Sequence, residues 1–422
     1  MIPRFGLLYH SASELLGIVL CGTQPADRAM DLYFRGHRTL GPRERGFIAD
    51  TVYACLRTRR SLEYRLGTAS SPSLLVAAYL LTEGGISARA LERETGAKDA
   101  VALCEHVRSH PLSDAPAGVR ADLPDWFLEC LHAVMEPDEL IALADALRRP
   151  APLDLRVNSL KADRDEAARR LRETGVATHP TSLSPVALRC ETHFAVFRSE
   201  IFRDGWIEVQ DEGSQLIALC LDPRRHETVV DFCAGSGGKT LHIGAMMHNT
   251  GMLYALDTVK GRLDRAKDRI RRSGLQNVRL QTIEDERDPR LSRLRGKADR
   301  VLVDAPCSGS GTWRRNPDLK WRLDTATIDR LVQTQGRILD AASRLVKTGG
   351  RLLYATCSLL PDENEKRLGA FVANHPEFEI TPVQESLDRR GVTLPAEGPF
   401  LRLLPHRDHT DGFFAACLTR TR

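Results

Sequence analysis

The sequence predicts an α/β protein whose C-terminal half forms a doubly wound, parallel sheet. From about Asp222 onward, short apolar runs alternate with helical patterns such as Val259–Ser273 and Thr327–Val346, which is typical of a parallel sheet covered by helices. The first apolar run leads directly into a glycine-rich turn, and two later runs end in short motifs that contain a cysteine. The predicted strands are Thr228–Phe232, Met252–Leu256, Val278–Ile283, Arg300–Val303, Arg351–Ala355, Phe378–Thr381 and Phe413–Leu418.

Two further regions are predicted to precede this sheet. The segment Ser109–Asp125 combines prolines and a glycine with alanine and aspartate, a composition that marks a linker between domains. We therefore predict a helical domain over residues 1–120, a small α+β module over residues 121–205 and the α/β domain over residues 206–422. A chain of 422 residues is long enough for three domains of ordinary size.

The helical domain and the α+β module each show a local pattern. Ser11–Glu14 has the spacing of a capping box, and a long helix is predicted over Glu44–Leu66. One face of that helix carries four arginines, which suit either a solvated helix face or a surface for RNA phosphates. These arginines are Arg57, Arg59, Arg60 and Arg65. The module is predicted to contain a strand at Leu153–Val157, a helix at Asp163–Thr174 and strand-like runs at Val186–Arg189 and Phe194–Phe197.

The composition indicates a soluble globular protein in a reducing compartment. Lys and Arg number 60 against 56 Asp and Glu, so the formal net charge of +4 neither requires nor excludes a nucleic-acid partner. None of the 10 cysteines forms a pair separated by two residues, which argues against a zinc ribbon and predicts no metal. Met1–Glu14 lacks the apolar run of a signal peptide, and Leu74–Leu81 is too short to span a bilayer. We expect a cytoplasmic monomer without a membrane segment.

The glycine-rich turn after the first predicted strand permits three interpretations. A phosphate-binding loop of the form G-x-x-x-x-G-K-[ST] would require glycine at Cys233, and a dinucleotide fingerprint would require glycine at Thr240. A loop for S-adenosylmethionine needs an acid at the end of the strand before a G-x-G turn, and Asp231, Gly235 and Gly237 meet that requirement. The methyl-donor loop is the favoured interpretation, and a nucleotide-phosphate loop or a structural turn remain the alternatives.

A carboxylate at the end of the second strand supports the methyl-donor interpretation. Asp257 follows Gly237 at the spacing from which an acidic side chain accepts hydrogen bonds from ribose hydroxyls in doubly wound sheets. S-adenosylmethionine carries no phosphate, so the glycines would serve close approach of the backbone to the nucleoside and amino-acid parts. The sequence therefore predicts S-adenosylmethionine as the cofactor.

Two cysteines follow neighbouring strands of the predicted sheet. Cys307 lies in Asp304-Ala-Pro-Cys307 after the fourth strand, and Cys357 lies in Thr356-Cys-Ser358 after the fifth. Because the carboxyl ends of parallel strands line the ligand crevice, both thiols are expected at one cleft. A single free cysteine is usually a buried hydrophobic residue, but two at adjacent strand ends beside a cofactor loop favour covalent catalysis.

Such a pair of thiols suits methylation at C5 of a pyrimidine, a carbon with little nucleophilicity of its own. A thiolate added to C6 pushes electron density onto C5, which can then accept the methyl group. Asp304 is placed to support the ring near N3. The C5 proton must then leave and the thiolate must be eliminated, and a second group near the ring would assist that step.

These motifs resemble the Nop/Sun family of RNA cytosine-C5 methyltransferases, and most closely its bacterial RsmB-type members. The resemblance spans about 270 residues in the expected order. The matching pieces are Arg156-Val-Asn158 with Lys161, Val209–Gln215, Cys233–Lys239, Asp257 with Arg262, Asp304–Cys307, Asn316–Trp321, Thr356–Ser358 and Asp411–Phe414. The resemblance implies a class I methyltransferase (Rossmann-like) sheet preceded by an RRM-like module. It also implies an all-α, NusB-like domain, for which Leu40–Arg45 and Leu56–Thr58 are the matching pieces.

The resemblance also implies roles for individual residues. Cys357 would be the nucleophile and Cys307 would assist product release, with Asp304 near the base and Lys239 reaching into the cleft. The implied cofactor contacts are Cys233, Ala234, Gly235, Ser236, Gly237, Gly238, Lys239, Asp257, Arg262, Asp285 and Asp304. Glu284 could take the place of Asp285, and Gly235-Ser236 replaces the Ala-Pro pair common in this loop.

The sequence thus predicts an enzyme that makes 5-methylcytosine in structured RNA, with ribosomal RNA as the expected substrate. Two alternatives from other classes remain open at this point. One is a P-loop ATPase, because Gly238-Lys239-Thr240 and the acidic end of the fourth strand imitate one. The other is an RNA-binding assembly factor with an inactive methyltransferase fold.

Overall fold

The computed structural model describes residues 4–67, 70–96, 99–394 and 398–422. The helices in chain order are α1 Phe5–Leu20, α2 Ala26–Gly36, α3 Pro42–Arg57, α4 Arg59–Leu66, α5 Pro72–Thr82, α6 Ala88–Thr95, α7 Ala100–Ser109, α8 Ala117–Ala121, α9 Asp125–His132, α10 Pro137–Arg148, α11 Arg164–Glu173, α12 Glu200–Arg203, α13 Glu212–Leu221, α14 Gly238–Met246, α15 Lys260–Ser273, α16 Leu319–Arg322, α17 Thr325–Ser343, α18 Glu365–Asn374, α19 Gln384–Asp388 and α20 Pro405–Asp408.

The strands form two separate sheets. In chain order they are β1 Leu153–Val157, β2 Thr178–Pro180, β3 Ala187–Cys190, β4 Ile207–Val209, β5 Thr228–Asp231, β6 Met252–Asp257, β7 Val278–Thr282, β8 Ala298–Asp304, β9 Val346–Thr356, β10 Phe378–Thr381, β11 Leu401–Leu403 and β12 Phe413–Arg420. The small sheet contains β1 to β4, and the large sheet contains the other strands.

The chain divides into two compact units. One contains residues 1–150 together with Thr312–Thr325, and the other contains Ala151–Gly311 and Ala326–Arg422. This division groups α9 and α10, which the sequence assigned to the α+β module, with the N-terminal helices. The predicted module boundary near residue 120 therefore stays a prediction.

The first unit is all-helical, as predicted. Helix α1 begins at Phe5, so the predicted capping box at Ser11–Glu14 lies inside the helix instead of at its start. Its apolar side chains at helical spacing, such as Leu8 and Leu15, are buried in a core shared with Ile48 and Val52 of α3. Packing of this apolar stripe fixes α1, because burial of each such side chain contributes roughly 1.5–3 kcal/mol.

The single long helix predicted over Glu44–Leu66 is wrong, because the chain breaks at Thr58 between α3 and α4. The Thr58 hydroxyl donates to the carbonyl oxygen of Ala54 at 3.0 Å, a bond that competes with regular helix geometry. Arg57 is buried and donates to a backbone carbonyl, while Arg60 pairs with Asp125 at 2.7 Å. These two arginines therefore support the helical unit and do not form a solvated or phosphate-binding face.

Residues Thr312–Thr325 leave the second unit and pack within the helical unit. The Trp313 side chain is fully buried, and its ring centroid lies 4.4 Å from that of Phe127. The Lys320 ammonium is buried as well and donates to the carbonyl oxygens of Arg57 and Asp122 at 2.9 and 3.0 Å. Burial lowers the pKa of Lys320 to about 7. The segment is thus an integral part of the helical core.

The small sheet of the second unit is antiparallel, with strand order β2-β3-β1-β4. The predicted strand Leu153–Val157 and the helix after it are confirmed. The predicted strand at Phe194–Phe197 is wrong, because a 3₁₀ turn occupies Val196–Arg198. Strands β2 and β4 have three residues each and were not predicted, since so short a run shows no alternation of polar and apolar residues.

The large sheet has the order β10-β12-β9-β8-β5-β6-β7, with β11 paired to β12. Strands β5 to β9 are mutually parallel and the predicted alternation with helices is confirmed. Strand β12 runs antiparallel to β9, β10 and β11, so the sheet is mixed and the predicted parallel pairing does not extend to β10 and β12. Only residues 404–412 join β11 to β12, too few for the crossover that parallel pairing requires.

Candidate active site

Four strands of the large sheet end at the same edge with polar or reactive residues. Strand β5 ends at Asp231, β6 at Asp257, β8 at Asp304 and β9 at Thr356. The parallel register places Asp304 beside Ala355, so the loops that follow β8 and β9 leave the sheet side by side. This carboxyl edge is where doubly wound sheets bind ligands.

The glycine loop lies between β5 and α14, with its backbone tied to β6. The Ala234 N–H donates to the Leu256 carbonyl at 2.8 Å, and the Gly235 N–H donates to Asp257 Oδ2 at 2.8 Å. Gly237 has a φ of 82°, and a Cβ there would lie 3.1 Å from that of Ala266, so the position requires glycine. At Gly235 an added Cβ would meet no atom within 4 Å. The loop therefore presents an open face on this side.

The other predicted loop residues support the turn from their neighbours. The Ser236 carbonyl accepts a hydrogen bond from Arg269 at 2.8 Å, and the Gly238 carbonyl accepts one from the buried Arg156 at 2.7 Å. Arg156 belongs to β1, so the small sheet helps to fix the glycine loop. Cys233 lies at the start of the loop, where burial raises the pKa of its thiol well above the usual value.

Asp231 lies beneath the loop as a buried acid. Its Oδ2 accepts the Thr240 hydroxyl at 2.7 Å, whereas its Oδ1 has no hydrogen-bond partner in the described part of the chain. Burial raises the pKa of Asp231 to about 7. An unpartnered buried oxygen beside an open loop fits a group that donates a hydrogen bond from a bound ligand.

Lys239 and Asp304 form an ion pair in front of the sheet edge. The Lys239 Nζ lies 2.6 Å from Asp304 Oδ2 and 5.7 Å from the centre of the Phe413 ring. Burial opposes the charge of Lys239, but attraction by Asp304, Cys357 and Asp231 outweighs it and raises the pKa of the lysine. The predicted catalytic role of Lys239 in the cleft stays a prediction.

The two predicted catalytic thiols lie next to each other. Cys307 Sγ and Cys357 Sγ are 3.5 Å apart. The hydrogen bond with Cys357, burial, and the charges of Cys357 and Glu363 together raise the pKa of Cys307 well above the usual value. Two thiols this close do not readily lose both protons, because the two negative charges would repel each other. When one sulfur is a thiolate, the other therefore keeps its proton.

Two glycines hold the cysteine loops against the loop before β12. The Gly311 N–H donates to the Cys357 carbonyl, and the Gly412 N–H donates to the Gly311 carbonyl, each at 2.9 Å. A Cβ on Gly311 would lie 2.2 Å from the Gly412 oxygen, so only glycine permits this approach. The loops that carry Cys307 and Cys357 and the loop of Asp411–Phe414 are therefore in direct contact.

A buried polar network behind the thiols was not predicted from the sequence. Its centre is Glu363, whose side chain is fully buried and which contacts Ser308 and Ser358, the residues after the two cysteines. Asn364 accepts the Thr356 hydroxyl at 2.6 Å and donates to the Ser358 carbonyl at 2.9 Å, which fixes both sides of Cys357. The polar run of residues 362–365 shortly after the Cys357 motif was a signal that could have indicated it.

Two predicted cofactor contacts lie on α15 and in the turn after β7. Arg262 is exposed on α15, near the end of β6. Asp285 lies in the turn after β7, where its Oδ1 accepts the Arg287 N–H at 2.7 Å, and neighbouring Glu284 is exposed. Both contacts stay predictions, as does the choice between Asp285 and Glu284.

No group of three His, Cys, Asp or Glu side chains arranged to hold a metal ion occurs among the described residues. A search of the same part of the chain for a helix long and apolar enough to cross a membrane found none.

Comparison with known proteins gives consistent matches for sequence and structure. Residues 218–419 match the family model for the 16S rRNA methyltransferase RsmB/F, and residues 123–197 match the ferredoxin-like domain of RsmF/B-like methyltransferases. The probable ribosomal RNA small subunit methyltransferase B of Synechocystis sp. is 37% identical over 304 residues, which cover 72% of this chain and 68% of that protein. The ribosomal RNA small subunit methyltransferase B of Sodalis glossinidius is 37% identical over 69% of this chain and 64% of its own.

Solved structures extend the match. The crystal structure of PH0851 aligns with 100% of this chain and with 99% of the PH0851 chain, at a TM-score of 0.78 and 28% sequence identity. A methyltransferase homolog protein from Pyrococcus horikoshii covers 72% of this chain and 97% of its own at a TM-score of 0.61 and 26% identity. The curated relatives are matched over about two thirds of their length. These matches confirm the resemblance found in the motifs, and the chain belongs to the RsmB/F family of rRNA methyltransferases.

Proposed function

We propose that this protein transfers a methyl group from S-adenosylmethionine to C5 of a cytosine in ribosomal RNA, through a covalent bond between Cys357 and C6 of the base. The observation that carries this proposal is the pair of thiols 3.5 Å apart at the carboxyl edge of the sheet, beside the Lys239–Asp304 ion pair. Nucleophilic addition is the established way in which a thiolate activates an unreactive carbon. Membership of a methyltransferase family supports the choice of methyl transfer over ATP hydrolysis.

Cys357 is the proposed nucleophile. When its thiolate forms a bond to C6, the electrons of the C5–C6 double bond move to C5, and C5 becomes able to accept a methyl group. Lys239 is the cation that interacts with this sulfur, because the charge of Cys357 is among the causes that raise the pKa of the lysine. After methyl transfer the C5 proton passes to a water molecule, the double bond re-forms and the Cys357 thiolate is expelled. Cys307 would assist this step by donating a hydrogen bond from its S–H to the departing Cys357 sulfur.

Asp304 is the residue proposed to hold the base. Lys239 lies 2.6 Å from one of its oxygens, which keeps the carboxylate in place while about a third of its side chain stays exposed toward the cleft. An ionised carboxylate only accepts hydrogen bonds, so Asp304 would bind the ring when N3 carries a proton. That protonated form is the more electrophilic one at C6.

The glycine loop and the acids around it would hold the cofactor. S-adenosylmethionine supplies an electrophilic methyl group when it is bound. The open side of Gly235 and the Asp257 carboxylate offer room and acceptors for a nucleoside and an amino-acid group, as does the Oδ1 of Asp231, which has no partner among the described residues. Arg262 and Asp285 would complete the contacts. Each oxygen of Asp257 already accepts one backbone N–H, from Gly235 or Val259, and each can accept a second donor.

The substrate is proposed to be ribosomal RNA in the cytoplasm, with the protein acting as a monomer. Relatives matched over two thirds of their length are named as methyltransferases of the small-subunit ribosomal RNA. The all-helical unit resembles, in its Leu40–Arg45 and Leu56–Thr58 motifs, domains that dock RNA. RNA is recognised largely by its shape and its unpaired bases, so the helical unit would select the substrate and the sheet edge would carry out the reaction.

The direct test is incubation of the purified protein with methyl-labelled S-adenosylmethionine and ribosomal RNA from a strain that lacks the gene. The RNA is then digested to nucleosides and the labelled nucleoside identified. The proposal predicts label in 5-methylcytidine only. Label at another atom, or RNA binding without any transfer of label, would overturn it, and the second result would favour an RNA-binding assembly factor. Bisulfite sequencing of the same RNA then locates the modified cytosine.

A further inference from the structure

A single buried carboxylate connects the two cysteine loops. Glu363 Oε1 accepts the Ser308 N–H and the Gln335 side-chain N–H, each at 2.9 Å. Glu363 Oε2 accepts the hydroxyls of Ser308 and Ser358. Ser308 follows Cys307 and Ser358 follows Cys357, so Glu363 contacts the residue after each thiol. Its side chain is fully buried, which means that these four bonds replace water around it.

The donors around Glu363 fit an ionised carboxylate. The backbone N–H of Ser308 and the amide of Gln335 can only donate at these contacts. The Ser358 oxygen accepts the Leu360 N–H at 3.0 Å, which leaves its O–H free to donate to Glu363. A buried charge is costly unless several hydrogen bonds compensate it; here both contacts of Oε1 are obligatory donors and both hydroxyls at Oε2 can donate. This pattern fits a negative charge against Ser308 and Ser358, the residues that follow the two thiols.

Different charged groups therefore act on the two thiols. Glu363 is among the causes that raise the pKa of Cys307, after its hydrogen bond with Cys357 and its burial. The nearby cation, Lys239, interacts instead with Cys357. Tyr354 also faces Cys307. Burial and the charges of Cys307 and Glu363 raise its pKa while Arg367 opposes the rise, and its hydroxyl donates to the Glu363 carbonyl at 2.6 Å. Glu363 thus acts on Cys307, while the cation that acts on Cys357 is Lys239, which is also paired with Asp304.

We propose that Glu363 is a positioning residue that holds the two cysteine loops in register and keeps the proton of the thiol pair on Cys307. Cys357 is then the sulfur that carries the negative charge and attacks C6. When the bond between Cys357 and C6 forms, the C5–C6 electron pair moves to C5 and Cys307 retains its S–H. This inference deepens the proposed function and rests on it for the identity of the attacked atom.

The test compares Glu363→Gln with the matched control Glu365→Gln. The first variant removes the buried charge and keeps the shape of the side chain. The second removes a partly exposed charge two residues along the same region, where Glu365 pairs with Arg402 at 2.6 Å. The readout is the alkylation rate of each cysteine by iodoacetamide as a function of pH, followed by peptide mass spectrometry, with neither RNA nor cofactor present.

In the wild-type protein and in Glu365→Gln, Cys357 should react at least ten-fold faster than Cys307 at pH 7.5. In Glu363→Gln the rate at Cys307 should rise about ten-fold, which corresponds to one pH unit in its profile. An unchanged Cys307 profile in folded Glu363→Gln would overturn the proposal. If Glu363→Gln does not fold, the same alkylation measurement is made on Glu363→Asp, which keeps the negative charge. Cys307 should then be alkylated as slowly as in the wild-type protein. Equal alkylation rates at Cys307 and Cys357 in that variant would contradict the proposal.

Methyl transfer provides the second readout. Glu363→Gln should lower kcat about 10–100-fold while KM for RNA changes less than three-fold, because the residue does not contact RNA in this account. The alkylation result does not depend on the reaction catalysed. If the Cys307 profile shifts as expected but no label reaches C5 of cytosine, the proposed function fails and the division of charge between the thiols stands. If label appears on C5 but the profile does not shift, this inference fails alone.

Discussion

The sulfur atoms of Cys307 and Cys357 lie 3.5 Å apart, although the two residues are 50 positions apart in the sequence. The closeness follows from the register of two parallel strands, in which Asp304 at the end of β8 is paired with Ala355 near the end of β9. Cys307 follows Asp304 by three residues and Cys357 follows Ala355 by two, so both thiols lie close to this paired position at the edge of the sheet. The loops are then fixed by the Gly311–Gly412 contact on one side and by Glu363 on the other.

Replacement of Lys239 by methionine should slow methyl transfer about 100-fold, because the cation that attracts the Cys357 thiolate and fixes Asp304 is lost. Alkylation of Cys357 at pH 7.5 should slow in the same variant. The measurements are single-turnover methyl transfer and thiol alkylation, with Lys267→Met as the control, since Lys267 is exposed on α15. Equal rates in the two variants would show that Lys239 does not act at the site.

Replacement of Gly412 by alanine should displace the cysteine loops. The added Cβ would lie 2.6 Å from Leu359 Cδ2 and 2.8 Å from the Cα of Gly311, so the backbone contact must open. We expect a loss of stability of about 1–3 kcal/mol and a fall in kcat of at least ten-fold. Gly369→Ala is the control, because a Cβ there meets no atom within 4 Å and lies within α18. The account is contradicted if Gly412→Ala retains full activity.

Asp231 should make the folded protein less stable as the pH rises. Its pKa is 3.8 in the unfolded chain and about 7 when buried, so between these values the folded state binds more protons than the unfolded state. The free energy of unfolding therefore falls with pH across this window, by at most roughly 1.4 kcal/mol per pH unit from this group. Asp231→Asn should remove that slope and be the more stable protein at pH 8.

Urea unfolding at pH 5, 6, 7 and 8 checks this prediction. Asp268→Asn serves as the control, since the Asp268 side chain is 73% exposed on α15. The explanation fails if the wild-type protein and Asp231→Asn lose stability in parallel between pH 5 and 7.

Replacement of Trp313 by alanine should destabilise the helical unit. The side chain is fully buried against Phe127, and truncation of a buried tryptophan typically costs about 3–5 kcal/mol. Phe197→Ala, at a side chain that is 70% exposed, should change the free energy of unfolding by less than about 0.5 kcal/mol. Denaturant unfolding followed by far-UV circular dichroism measures both. A Trp313→Ala protein as stable as the wild type would mean that the segment Thr312–Thr325 does not support the helical core.

The large sheet could be predicted from the sequence because its signals are local. Most of the strands β5 to β9 contain a short apolar run close to a helical pattern, and Asp231, Asp257 and Asp304 end three of them. Once the strands are taken as parallel, the edge that carries Asp257, Asp304, Cys307 and Cys357 follows from chain direction alone. The resemblance to a family then assigned separate roles to the two thiols.

The parts of the fold and of the site that were not predicted depend on contacts between segments distant in the sequence. Such contacts leave no periodic pattern in the sequence. No pattern in the sequence places Trp313 and Lys320 in the helical core, since they follow the Cys307 motif of the sheet domain. Arg57 and Arg60 looked like a solvated face because charged residues usually are exposed, whereas each bonds a carbonyl from another segment. Glu363 was missed for the same reason, because a buried carboxylate is recognised only by its donors.

The central claim is that Cys357 forms the covalent bond to the base and that Cys307 is needed to release it. The most direct measurement incubates Cys357→Ala and Cys307→Ala with ribosomal RNA and S-adenosylmethionine, separates the products on a denaturing gel, and identifies the linked peptide by mass spectrometry. The account predicts that Cys307→Ala accumulates RNA bound through Cys357, and that Cys357→Ala forms no adduct and no 5-methylcytidine. An adduct through Cys307 in the Cys357→Ala protein, with none in Cys307→Ala, would contradict it.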